Sequence, residues 1–282
     1  MVSIVITAYN VGEWIEQSVL SALGQTHKNI EVIVVDDCST DNTASVLEKI
    51  KDCRLKVIHN KKNRGAGLSR RVGIKAAKGD YILLLDGDDW LEKEYIATLY
   101  QTAKESNADI VSGGITVVEC DGSTRCTQQR EGIAEGIEKF SVFSGNNVVY
   151  LNNKLIKRRL HKLVPYCKRR FIEDTPVVIP LFYFADKVAY TGNCGYNYRM
   201  RASSLTHKAG DFKYALFRAL CVEDIVSFFE KQDKEYLTLL PLAQCYSQCI
   251  AEIKRCNPSK KDIARYKNEW YEFTAKLIRR MV

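Results

Sequence analysis

The sequence predicts an α/β protein: a mostly parallel sheet with flanking helices, followed by a C-terminal helical segment. Three observations carry this. Short apolar runs alternate with stretches of helical periodicity through the amino-terminal part, the pattern of a parallel sheet covered on both faces. Polar clusters follow those runs where neighbouring parallel strands should end, which is the edge at which such sheets bind ligands. From Asp211 to Val282 the pattern is helical.

Ser3-Ile4-Val5-Ile6 reads as the first strand, running into Thr7-Ala8-Tyr9-Asn10, and Trp14, Ile15, Val19, Leu20 and Leu23 give the following helix its apolar stripe. Ile30 to Val35 is the second strand and ends in Asp36-Asp37-Cys38-Ser39-Thr40-Asp41. Ser39, Thr40 or Asp41 could cap a helix from Thr43 to Lys51. Leu55 to His59 is the third strand, followed by the loop Asn60 to Gly67 and a helix through Leu68, Val72, Ile74 and Ala77. The fourth strand, Tyr81 to Leu85, delivers Asp86-Gly87-Asp88-Asp89 to the same edge. Carboxylates gathered there suit a hard divalent cation, Mn²⁺ or Mg²⁺, which takes oxygen ligands and shares its shell with substrate phosphates. The plainer reading is a polar strand exit, with Asp88 or Asp89 capping a helix that begins near Leu91. Cys120 to Gly145, polar and glycine-containing, reads as a long loop.

Composition bounds the function. The 282 residues suffice for one large domain or two smaller ones. There is no long apolar run to span a membrane, and the amino terminus enters a strand directly, unlike a secretory signal. The ten cysteines contain no Cys-x-x-Cys pair and read as reduced, mostly packed thiols. A cytoplasmic protein is therefore expected. The charge of +8 is concentrated in Lys154 to Lys162, in Lys168-Arg169-Arg170, and in Lys276, Arg279 and Arg280. No helix-turn-helix, zinc-finger or aromatic stacking motif accompanies it, so no nucleic-acid partner is expected. Phosphate-rich substrates or an anionic membrane surface would use the charge equally well, and a solvated face is the plain alternative. The stripe Ile263, Tyr266, Trp270, Phe273, Leu277 and Met281 is expected to pack on the domain. Its second reading is a peripheral membrane contact at the inner face, toward a lipid-linked acceptor.

Taken in order, Thr7-Ala8-Tyr9-Asn10, Ser21-x-x-x-Gln25-Thr26, Val35-Asp36-Asp37-x-Ser39-Thr40-Asp41-x-Thr43, Asn63-x-Gly65 and Gly79-Asp80-Tyr81 leading to Asp86-Gly87-Asp88-Asp89 resemble glycosyltransferase family 2. The likeness is close to about residue 115. It continues more thinly through Asn153 to Arg158, Glu173-Asp174-Thr175 and Tyr198-Arg199-x-Arg201-x-x-Ser204-x-Thr206. Cys38, Arg71 and Asn152-Asn153 depart from the family's usual residues.

The resemblance implies a GT-A, Rossmann-like fold, with a glycosyltransferase domain over 1–210 (1–112 the nucleotide-sugar half, 113–210 the acceptor half) and a helical region over 211–282. It implies an inverting transfer from a nucleotide diphosphate sugar, most commonly a UDP-sugar, to a saccharide or lipid-linked saccharide acceptor, in cell-surface polysaccharide synthesis. Thr7, Ala8, Tyr9 and Asn10 would supply backbone donors and a ring for the nucleoside. Asp37, with Ser39 in the same motif, and Arg64 would read the base. Asp86 is the family's ribose and metal position, beside Gly87; Asp88 and Asp89 complete the metal set, which His207 could join. Arg199 and Arg201 would cover the diphosphate, unless they are solvated arginines of a surface strand. Asp174 would be the base for the acceptor hydroxyl, with Glu173 next to it. The plain reading of that pair is a helix start, reinforced by Pro176; both hold if the helix aims the carboxylate. Lys154 is expected to pack between halves. A sugar nucleotidyltransferase would need a glycine-rich loop with arginine and lysine after the first strand, and a dehydrogenase a Gly-x-Gly-x-x-Gly turn; neither is present. A catalytically silent nucleotide- or sugar-binding module is the remaining rival.

Overall fold

Seven consecutive buried residues make β1 (Val2–Ala8) a strand without a solvent-facing side, as a parallel strand covered on both faces must be. In the computed structural model, which describes residues 1–127, 131–143, 150–164, 166, 174–201, 212–233 and 242–281, β1 pairs in parallel with β2 (Ile30–Asp36) and β4 (Tyr81–Asp86). β3 (Leu55–His59) extends the sheet beyond β2. Helices α1 (Ile15–Leu23), α2 (Thr43–Lys49) and α3 (Ala66–Ala76) make the crossovers. Both faces of the sheet are filled: Ile4, Ile6, Leu83 and Leu85 point into one apolar layer, Val5, Ile82 and Leu84 into the other.

Beyond β4 the sheet ceases to be parallel. β6 (Ile110–Ser112), β9 (Gly132–Glu135), β10 (Lys154–Lys157) and β11 (Lys187–Tyr190) complete eight strands in the order β3-β2-β1-β4-β10-β6-β11-β9, with β10 antiparallel to both of its neighbours. A second sheet joins β5 (Trp90–Leu91), β12 (Tyr196–Arg199), β7 (Ile115–Val118) and β8 (Thr124–Thr127), in that order. Mixed sheets of this kind are common in large α/β folds.

Three expectations change. The Cys120–Gly145 stretch is not a structureless loop where it is described: it holds β8, β9 and a 3₁₀ helix over Gly136–Phe143. Its strands are mostly exposed and polar, so neither alternation nor apolarity marked them, and β8 exists because β7 pairs with it. The residues after Asp89 form β5 first, and helix α4 (Tyr95–Ser106) starts four residues later than Leu91, without a side-chain cap from Asp88 or Asp89. Cys126 and Cys194 are joined as a disulfide, correcting the expectation of reduced thiols for that pair; spacing gave no hint, because the partners are 68 residues apart.

α5 (Thr175–Phe184) carries the sheet's second apolar layer onward to α6 (Phe212–Gln232). Tyr183 sits edge-on to Phe228 and Phe229 at 5.7 and 5.5 Å between ring centroids. α6 then packs with the Leu242–Cys256 and Lys267–Met281 helices around a separate core of Leu216, Leu220, Cys249, Ile253 and Phe273. Trp270 lies against Phe212 at 5.6 Å. The described part of the aromatic stripe is thus occupied by packing. No helix among the described residues is long and apolar enough to cross a membrane.

Candidate active site

Strand register decides which polar groups meet. Ala8 pairs with Asp36 and Thr7 with Asp86, so the carboxyl ends of β2, β1 and β4 lie side by side. Gly87 makes the turn after β4 fit: its N–H donates to the Thr7 carbonyl at 2.9 Å, and a Cβ there would meet that same oxygen at 2.9 Å. No larger residue could pass so close to β1.

The loops after β1 and β2 are tied to each other. The Asn10 N–H donates to Ser39 Oγ at 3.0 Å, and Asn10 Oδ1 accepts from the Thr40 N–H at 2.8 Å. Asn10 takes φ +52°, a left-handed value asparagine tolerates. Tyr9 is left 48% exposed on this edge, an aromatic face open to a planar ligand. Asp37 lies buried just past the end of β2. Its Oδ1 accepts from Asn60 Nδ2 (2.8 Å) and the Arg64 N–H (2.9 Å), and Oδ2 from the Gly65 N–H (2.7 Å). The carboxylate is buried and occupied, and what it does in this structure is organise the Asn60–Gly65 loop. Arg64 contributes its backbone to that contact while the residue stays exposed.

The three aspartates after β4 have three environments. Asp86 accepts from Thr7 Oγ1 at 3.2 Å, from Arg70 Nη2 at 3.0 Å and from Asn152 Nδ2 at 2.8 Å. Asp89 is buried and turned inward, accepting from the Tyr196 hydroxyl at 2.6 Å and the Arg199 N–H at 2.9 Å. Burial, then the charges of Asp88 and Asp86, push its carboxyl well above the usual range; burial, then the charges of Asp89 and Asp86, push the Tyr196 phenol upward. Asp88 points to the edge, where its side-chain partner among the described residues is Arg201 at 2.6 Å. Burial and the neighbouring Asp86 raise the Asp88 carboxyl, and Arg201 works against the rise.

β12 brings two guanidinium groups to this point. Arg199 Nε donates to the Asp88 carbonyl at 2.9 Å and Nη2 to Gln17 Oε1 at 2.6 Å, with its guanidinium 4.5 Å from the Trp90 ring centroid. Arg201 lies 4.8 Å over Trp14. Neither is a freely solvated surface arginine.

Arg70 was not singled out by the sequence, yet it joins the two halves. Nearly buried on α3, it donates from Nη2 to Asp86 and from Nη1 to Asp174 Oδ1 at 2.6 Å. Asp174 stands at the start of α5 and also accepts the Leu151 N–H at 3.2 Å. Asn152 bridges Asp86 and the Tyr196 hydroxyl (2.9 Å), while its Oδ1 has no partner among the described residues. Both Arg70 and Asn152 sit within stretches that depart from the family's usual residues, and only the fold reveals them. Lys154 is buried, donating to the Tyr150 carbonyl (2.6 Å) and Asn153 Oδ1 (2.8 Å); burial lowers its pKa to about 7. Glu173 and His207 lie outside the described residues.

For a divalent cation, the fit rests on Asp88. No group of three His, Cys, Asp or Glu side chains among the described residues forms a ready cage; Asp86 and Asp89 each accept from several protein donors, whereas the Asp88 carboxylate meets one side chain, Arg201. Magnesium-type sites at diphosphates need only one or two carboxylates, the phosphates supplying further oxygens. Asp88 fits that arrangement.

An α/β sheet whose carboxyl edge gathers an exposed aromatic ring, three aspartates and two arginines, with Asp174 joined to Asp86 through Arg70, suits a nucleotide-dependent transferase. The comparisons with known proteins specify which kind. The family model "Glycosyl transferase family 2" matches residues 3–164, and the chain belongs to that family; it is a glycosyltransferase. It is 30% identical over 247 residues to "Glycosyltransferase GlyG" of Streptococcus pneumoniae, covering 82% of this chain and 79% of that protein. Over 90 residues it is 50% identical to "UDP-Glc:alpha-D-GlcNAc-diphosphoundecaprenol beta-1,3-glucosyltransferase WfaP" of Escherichia coli, 32% of this chain and 36% of the relative. The fold matches S. aureus TarS 1-349 in complex with UDP-GlcNAc with a TM-score of 0.68 at 21% identity, over 98% of this chain and 79% of that one. That likeness shows the GT-A type of fold.

Proposed function

We propose that this glycosyltransferase moves a sugar from a UDP-sugar to a hydroxyl of a saccharide acceptor, with inversion, and serves cell-surface polysaccharide synthesis in the cytoplasm. The observation that carries the reading is the Asp86–Arg70–Asp174 bridge. One guanidinium pairs with both Asp86, at the end of β4, and Asp174, at the start of α5, which supports reading them as the donor-side and acceptor-side carboxylates of one site. The donor assignment is supported by the UDP-sugar named for WfaP and the UDP-GlcNAc bound in the TarS structure.

The acceptor oxygen bonds to the anomeric carbon as the bond from that carbon to the β-phosphate oxygen breaks. The acceptor's proton passes to Asp174, whose charge Arg70 holds in place before the sugar arrives, and no covalent intermediate is needed. Negative charge grows on the departing diphosphate beside Arg199 and Arg201, whose guanidinium groups can pair with phosphate oxygens. Mn²⁺ or Mg²⁺ held by Asp88, with Asp86 nearby, would neutralise the same charge. Arg201 pairs with Asp88 at 2.6 Å, so a cation held by Asp88 would take the place of that guanidinium, which could then meet phosphate oxygens. Tyr9, exposed at this edge, would stack on the base, and Asp37 would act through the loop it organises.

The test is Asp174→Asn. It should bind UDP in the presence of Mn²⁺ as the parent does while transfer to a saccharide acceptor is lost. Retained turnover would move the base elsewhere, first to Glu173.

A further inference from the structure

At the end of the sheet opposite these carboxylates lies a cleft of about 400 Å³, lined by Asp80, Lys104, Lys157, Arg158, Arg159 and Lys162 among others. β4 runs from Tyr81 at the cleft to Asp86 at the active site, roughly 17 Å along the strand. β10 is antiparallel and places Lys157 opposite Tyr81. The basic run noted in the sequence between Lys154 and Lys162 therefore turns largely away from the transfer site.

Part of this cluster is held in place: Lys157 and Arg159 by Asp109, and Arg158 by a backbone carbonyl. Asp109, 2% exposed, accepts from Lys157 Nζ at 2.9 Å and from Arg159 Nη2 at 2.8 Å, and its other oxygen accepts the Asp186 N–H at 2.8 Å. Burial alone would raise the Asp109 carboxyl; those hydrogen bonds outweigh it and hold the group below its ordinary value. Arg158 Nε donates to the Gly79 carbonyl at 2.7 Å. Lys104 lies 5.5 Å from the Tyr100 ring centroid, and the Lys162 ammonium has no partner among the described residues. Against these cations stand the buried Asp109, the exposed Asp186, which Arg159 also meets, and Asp80, which pairs with the terminal ammonium. Positive charge remains in excess, although the carbonyl end of α4, where Lys104 sits, offsets part of it.

We propose that this cleft is a second anion site, taking a phosphate or diphosphate ester group. Lys157 and Arg159, pre-positioned by the buried Asp109, would meet such oxygens at reduced ordering cost, with the exposed Lys104 and Lys162 adding charge at the rim. Tyr81, the aromatic residue of the lining, is buried and offers no stacking face, so the phosphate is recognised and not a nucleobase. The proposal is independent of the donor assignment. The phosphate could belong to a soluble ester or to an anionic lipid headgroup, and the test separates these.

Calorimetry of the full chain with inorganic pyrophosphate in EDTA would be run beside sedimentation with phosphatidylcholine vesicles with and without phosphatidylglycerol. Lys104→Glu/Lys162→Glu, which changes two exposed side chains and leaves the Asp109 anchor intact, should weaken binding at least tenfold, with Asp88→Ala binding as the parent does. Binding of pyrophosphate assigns a soluble ester; binding to phosphatidylglycerol vesicles alone assigns a headgroup. The proposal is overturned if neither probe binds the parent, if the double variant binds equally well, or if Asp88→Ala alone abolishes binding.

Discussion

At the scale of single residues, the site is built from pairs whose members constrain each other. Arg70 is the most consequential. Removing it as Arg70→Leu leaves Asp86 and Asp174 without a shared counter-charge. A charge-assisted hydrogen bond is worth about 1.5–3 kcal/mol, so kcat should fall roughly 10- to 100-fold, with Arg70→Lys intermediate; steady-state kinetics with a saturating donor checks both. Tyr196→Phe takes the hydroxyl from buried Asp89 and from Asn152. A loss of about 1–3 kcal/mol in denaturant-measured stability is expected. Lys154 supplies a pH prediction. Its pKa falls from 10.5 to about 7 on folding. The unfolded chain therefore binds the extra proton between those values, and stability should rise with pH across that window. It should be lost again as pH falls toward 7. Relative to Lys154→Met, the parent should gain at most about 1.4 kcal/mol per pH unit; unfolding curves at pH 7 and above test this, and parallel curves for both proteins would refute it.

Among the elements, those with strong apolar runs were legible and those that depend on a partner were not. β3 was expected at Leu55 to His59 and lies there, because a short apolar run between loop signals has few alternatives. β8, β9 and β12 are polar or short, and they are strands because neighbouring edges accept them. Their consequence is functional: the sheet β5-β12-β7-β8 fixes Arg199 and Arg201 against Trp90 and Trp14, a placement no local pattern could give. Gln25, quoted above within a motif, supports the site from a position outside it. Wholly buried, it donates to the Ser21 and Glu92 carbonyls and accepts the Ile96 N–H, locking the chain after the aspartates onto α1. On the other side of the molecule, Phe229 joins α6 to α5. Phe229→Ala should cost about 3–5 kcal/mol, read as a shift of the guanidinium midpoint. Near-unchanged stability would mean that α6 is not part of the same folding unit as the sheet.

For the whole molecule, the parallel half of the sheet and the edge that binds were readable because strand ends and polar clusters coincide. The way the second half closes the site was not, since β10 reverses direction and brings Asn152 beside Asp86 from far along the chain. The carboxylates also divide their partners in a way that composition could not show, Asp89 to Tyr196, Asp86 to Arg70, Asp88 to Arg201. In the proposed mechanism this edge binds a nucleoside diphosphate through a cation on Asp88. Calorimetric titration of UDP, GDP, CDP and dTDP into the parent and Asp88→Ala, with and without Mn²⁺, decides it. UDP binding should require Mn²⁺ and disappear in Asp88→Ala; UDP affinity unchanged by the mutation in the presence of Mn²⁺, or no nucleotide binding at all, would refute that mechanism.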